Sequence, residues 1–162
     1  MPKFALLLTI AIASLAAAST AAAKAPIKTH GELHGYGTLT GVCDFPIGVE
    51  SFDSRDRIRF YDEFGTPTMF IVHITVTDIF TANGKTLTGE PYNYTFHVVF
   101  ENGAPTEVYS DGRVEKAILP DGTLILSAGR TNWLEHPFDD FLIAPDFGAT
   151  GDIDAFCAYF SS

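Results

Sequence analysis

Two cysteines, two methionines and one tryptophan are spread over 162 residues, and ten Lys and Arg face twenty Asp and Glu, for a formal net charge of −10. So few cations exclude the basic surface that nucleic acid or an anionic membrane requires. The imbalance is steepest at the end of the chain. Residues 131–162 hold Glu135, Asp139, Asp140, Asp146, Asp152 and Asp154 without a single Lys or Arg. Nucleic-acid partners are therefore not expected, and the acidic surface favours solubility.

Long apolar runs are absent after the first residues, so no later segment is expected to cross a membrane by a helix. The beginning is different. Met1-Pro2-Lys3 precedes an apolar run from Phe4 to Ala18, and Ser19-Thr20-Ala21-Ala22-Ala23 follows. One positive charge, an apolar centre and a small-residue end form the pattern of a cleavable secretory signal over 1–23, with the cut before Lys24. Ala16-Ala17-Ala18 offers a second cleavage position, and an uncleaved anchor is the competing reading. Cleavage leaves 139 residues, enough for one domain with its own core. The expected location is extracellular, with no membrane association once the signal is removed.

An apolar period of 3.6 never persists for ten residues after the signal, which excludes long amphipathic helices. Runs rich in Val, Ile, Thr, Phe and Tyr alternate instead with Gly, Pro, Asn and Asp, the pattern of strands and turns. Residues 67–80 place Phe70, Val72, Ile74, Val76 and Phe80 on one face, with Asp78 as the exception, against Met69, His73, Thr75 and Thr77. Residues 92–100 place Tyr92, Tyr94, Phe96, Val98 and Phe100 opposite Asn93, Thr95, His97 and Val99. Asn83-Gly84 suits a type I′ hairpin turn, and further turns are expected at 63–65, 101–103, 110–112 and 120–122. Shorter strands are expected near 33–40, 47–53, 56–62, 84–89, 105–110, 113–119, 123–129 and 153–160. The expected architecture is all-β: residues 24–30 as a flexible lead-in, then 31–162 as a single antiparallel barrel. An up-and-down meander of about eight to ten short strands fits this spacing, with a sandwich as the alternative.

Motifs for chemistry are equally scarce. There is no GxSxG elbow for a nucleophile, no GxGxxG or phosphate loop, and no complete Ca²⁺-binding loop around Asp139-Asp140 or Asp152 and Asp154. Asn93-Tyr94-Thr95 is a formal glycosylation sequon whose place in a strand argues against its use. Cys43 and Cys157 lack a CxxC partner or a nearby His, so in an exported chain the pair reads as a disulfide, with a metal pair or a reactive thiol as the competing reading. No cofactor, metal site or catalytic residue is nominated.

What remains are candidates for binding. His73 and His97 occupy the wetter faces of two strands, and with Thr75, Thr95 and Asn93 they could line a polar lumen if those strands pair. No third metal ligand accompanies them. Trp133, the single tryptophan, lies in an aromatic, acidic stretch at 131–150 that either packs over a barrel end or serves as a lid. Arg55, Arg57 and Arg59 share one strand face, where they could meet an anionic ligand; pairing with acids across the strands is the expected outcome.

Four stretches, Cys43-Asp-Phe-Pro-Ile47, Ala82-Asn-Gly-Lys-Thr-Leu-Thr-Gly89, Leu119-Pro-Asp-Gly-Thr-Leu-Ile-Leu-Ser-Ala-Gly-Arg130 and Asp154-Ala-Phe-Cys157, together resemble a group of small secreted actinobacterial proteins without a known activity. The resemblance spans most of residues 40–158 and implies a paired Cys43 and Cys157 and a repeating hairpin layout. In strand layout the chain also resembles allene-oxide-cyclase-like, dirigent-like and lipocalin-like barrels, an analogy of fold that carries no function. The expected function is non-enzymatic binding of a small apolar ligand or a protein partner by a secreted barrel. The alternatives are a structural or cell-surface protein, and a barrel-lumen enzyme of the isomerase or cyclase type using His73 or His97 as acid–base.

Overall fold

The computed structural model describes residues 24–135, 147–149 and 151–161, so residues 1–23, where a secretory signal is expected, and residues 136–146 lie outside the described part. Alternation with period two produces strands here as expected. They are β1 (Ile27–Leu39), β2 (Ile47–Tyr61), β3 (Pro67–Ala82), β4 (Lys85–Thr88), β5 (Tyr92–Glu101), β6 (Ala104–Ile118), β7 (Leu124–Asn132) and β8 (Phe147–Ala149), followed by the helix α1 (Ile153–Ser161). The protein is all-β, with one short helix.

All eight strands belong to one antiparallel sheet in the order β1-β2-β3-β5-β6-β7-β8, with β4 paired to the end of β3. No ladder joins β1 to β8 among the described residues, so their hydrogen bonding leaves the sheet open. Asn83 and Gly84 turn β3 into β4 with φ of 50° and 76°, both positive as a type I′ turn requires. Asn102 and Gly103 do the same between β5 and β6, with φ of 52° and 80°.

Register shows which residues share a face. Val49, Asp53, Arg55 and Arg57 of β2 lie opposite Phe80, Val76, Ile74 and Val72 of β3. Val76, Ile74 and Val72 in turn face Tyr92, Tyr94 and Phe96 of β5. This inner face carries both apolar clusters. One gathers Val72, Ile74, Val76 and Tyr92; the other gathers Ile47, Phe80, Leu87, Ala117, Leu119 and Ile125 with Phe156 and Phe160.

Four expectations are corrected. The lead-in at 24–30 is not wholly free: β1 begins at Ile27 and pairs it with Arg59. Residues 47–53 and 56–62 form one strand, β2. Residues 110–112 are not a turn, because 105–110 and 113–119 are joined in β6 as a continuous strand. Residues 153–160 form α1 rather than a strand. Asp152 explains that last case, since its Oδ1 accepts the Ala155 N–H at 2.9 Å and caps the helix. Phe156 and Phe160 then fall one turn apart on the same side. Phe156 meets Phe80 edge to face at 5.2 Å between ring centres, which seats the helix against one end of the inner face.

Cys43 and Cys157 form a disulfide across 114 residues. It ties α1 to the segment between β1 and β2, as the cysteine count predicts.

Candidate functional site

A cavity of about 590 Å³ lies on the inner face, lined from β1, β2, β3, β5 and β6. Its space comes partly from β1. Gly35 and Gly37 fall opposite Ser51 and Val49, and a Cβ built on either glycine would meet nothing within 4 Å. Its polarity comes from three carboxylates. Asp53 arrives on β2, Asp78 on β3 and Glu115 on β6, all three in the cavity wall. Asp78 and Glu115 are only 5% and 3% exposed.

Burying carboxylates is costly unless donors meet them. Asp78 receives two: Ser51 donates its hydroxyl to Oδ1, and Tyr92 donates its phenol to Oδ2 at 2.6 Å. Asp53 pairs through Oδ2 with Arg55. The other oxygen, Asp53 Oδ1, is buried without a hydrogen-bond partner, as is Arg55 Nε. Unmatched buried polar atoms of this kind are rare in native interiors. Glu115 is the least compensated: one oxygen accepts the N–H of Lys116 at 2.8 Å. Burial, reinforced by the nearby negative charge of Asp78, pushes its carboxyl up to about 8. Burial also raises the Tyr92 phenol far above its ordinary range, with Glu115 and Asp78 adding to the effect. Tyr94 rises to about 12, mainly through burial. Together these groups make an acidic, hydrogen-bonding recess with its own protonated carboxyl at neutral pH.

Glu115 reaches this position through a bulge. Before it, Val108 and Ser110 of β6 are buried; after it, Glu115 and Ala117 are buried, an odd step further along. The register slips between Arg113 and Glu115, which turns the following residues over. Close approach at Gly112 accompanies the slip. Its φ is +128°, and a Cβ there would lie 2.8 Å from Asn93 O and from Tyr94 Cα.

A second cavity of about 270 Å³ lies further along the inner face, walled by Arg55, Arg57, Phe70, Val72, Ile74, Tyr94, Phe96 and Trp133. Arg55, Arg57 and Arg59 therefore share the inner face. Of the three, Arg55 alone forms an ion pair among the described residues, and Arg59 lies over the Phe70 ring at 5.4 Å.

The binding candidates read from the sequence divide. Trp133 is 8% exposed and donates Nε1–H to Ser110 Oγ at 3.0 Å, so it contributes to the wall of the smaller cavity. His73, Thr75, Asn93, Thr95 and His97 lie on the opposite face of β3 and β5, away from both cavities. The structure does bring some of them together. His73 Nδ1 and Thr95 Oγ1 are hydrogen-bonded at 3.0 Å. His97 stacks on Tyr109 at 4.6 Å and lies 3.6 Å from Asp111, to which Arg130 donates through Nε at 2.7 Å. Partial burial lowers the His97 imidazole below its ordinary range, against the pull of Asp111. No group of three or more His, Cys, Asp or Glu among the described residues is arranged to hold a metal ion.

Sequence reasoning passed over Asp53, Asp78 and Glu115. A signal existed for Asp78, the one acid in an otherwise apolar strand face. For Glu115 there was none, since the bulge inverts the parity that alternation relies on. No family model, curated protein or solved structure matches the chain.

Proposed function

We propose that this is an exported, non-enzymatic binding protein that holds a small organic molecule in the inner-face cavity. The observation that carries the reading is the roomy cavity itself, walled by the side chains of Asp53, Asp78 and Glu115. A concave recess of this size with a few convergent polar groups is the usual form of a small-molecule site. Three carboxylates and three phenols in that wall favour a polar ligand over the apolar one expected from the sequence. Export is supported by the signal-like start and by the Cys43–Cys157 disulfide, which an oxidising compartment maintains. The described residues include no helix long and apolar enough to span a membrane.

Native mass spectrometry of protein collected from the medium tests the reading, with Gly35→Phe as the control. Phenylalanine at Gly35, in the cavity wall, enters open space and is expected to obstruct the cavity. Wild-type protein is expected to carry a small-molecule adduct, or to gain one from a polar fragment library, and Gly35→Phe to carry none. Equal adducts on both proteins, or none on either, overturn the reading. N-terminal sequencing of the same sample is expected to begin near Lys24.

A further inference from the structure

The acidic end of the larger cavity is short of positive charge. Its charged and titratable groups among the described residues are Asp78 from β3, Asp53 and Arg55 from β2, Glu115 from β6, Tyr92 and Tyr94 from β5, and Tyr36 from β1. β1 contributes Gly35 and Gly37 there, and β7 places Ser127 opposite Glu115. Among the described residues Arg55 is the only cation in this wall, and it pairs through its terminal nitrogen with Asp53.

We propose that this cavity takes a small organic cation, an alkylammonium or guanidinium, seated between Asp78 and Glu115. The inference rests on the binding role proposed above and names its ligand class. Two features argue for a cation over a neutral polar molecule. Asp78 and Glu115 are buried carboxyls with no basic side chain assigned to either among the described residues. Tyr92 and Tyr94 stand nearly parallel in the same wall, with ring centres 6.4 Å apart, and aromatic faces favour cations.

The charge balance of binding follows. An arriving ammonium is attracted by Asp78 and favours the ionised form of Glu115, so the Glu115 proton leaves to solvent as the cation enters. Cation uptake and proton release are thereby coupled, and each can be measured.

Isothermal titration with butylammonium and butylguanidinium, beside their neutral analogue butanol and the polyol erythritol, tests this on the full secreted protein. The cations are expected to bind at least tenfold more tightly than either neutral probe. Asp78→Asn and Glu115→Gln are each expected to weaken the cations tenfold or more. Repeating the titration at pH 7 in buffers of different ionisation enthalpy is expected to show a proton released on binding to wild type and none with Glu115→Gln. Should Asp78→Asn fail to fold, that proton count decides the question with the isosteric Glu115→Gln. Neutral probes that bind as tightly as the cations, with binding abolished by Gly35→Phe, overturn the cationic ligand and leave the cavity as a binding site. Cation binding that survives Gly35→Phe, or the absence of binding by all four probes, also overturns the inference.

Discussion

Tyr92 donates its phenolic proton to Asp78 from the neighbouring strand at 2.6 Å, and both side chains are only 5% exposed. A carboxyl group on a core face is tolerable only with such donors, and Ser51 supplies the second. The pair thus anchors the polar end of the cavity inside an otherwise apolar sheet face.

Tyr92→Phe keeps the ring packing and removes the donor. The expected result is a loss of about 1–3 kcal/mol in chemical denaturation, the cost of leaving a buried acceptor under-satisfied. An unchanged denaturation midpoint would mean that Asp78 does not depend on this donor.

Stability should also depend on pH through Glu115. Its carboxyl titrates near 8 in the folded protein and near the ordinary carboxylate value when unfolded, so between those limits the folded state holds more protons. Its contribution is therefore present at low pH and lost as pH rises toward 8, with a slope of up to about 1.4 kcal/mol per pH unit. Denaturation measured from pH 5 to 9 should show this decline superimposed on other titrations. Glu115→Gln should flatten it.

Opening the disulfide releases a loop of 114 residues in the unfolded chain. The double variant Cys43→Ala, Cys157→Ala should lose about 3–5 kcal/mol and roughly 10 °C in thermal midpoint. Wild-type thiols should resist alkylation until the protein is reduced. Alkylation of freshly prepared protein would show the bond to be absent.

Trp133 is buried and bonded to Ser110, a residue without measurable exposure. Trp133→Ala should cost about 3 kcal/mol or more, as large aromatic truncations do. Emission from the single tryptophan should be blue-shifted and resistant to quenching by acrylamide. A red, readily quenched emission would place the ring in solvent.

The sequence by itself determined the local pattern. Alternation in residues 67–80 and 92–100, the Asn83-Gly84 and Asn102-Gly103 turns, and an even cysteine count made strands, two hairpins and one disulfide legible, because each rests on residues near in sequence or on simple counting. Only the tertiary structure decided what that pattern encloses. Asp78 read as an interruption of an apolar face and proved to be the centre of the polar recess. Arg55, Arg57 and Arg59 were readable as one face, but cross-strand register with β3 was needed to show that the face is the inner one. Glu115 could not be placed at all, because the slip between Arg113 and Glu115 reverses the side to which β6 points its residues. The nine residues of α1 were too few to establish a helical period, and packing against Phe80 with a bond to Cys43 holds them in place. Periodicity is a property of one strand, whereas register, bulges and helix docking are settled by other strands far away in sequence, where side-chain packing and hydrogen-bond satisfaction choose among arrangements that are locally equivalent.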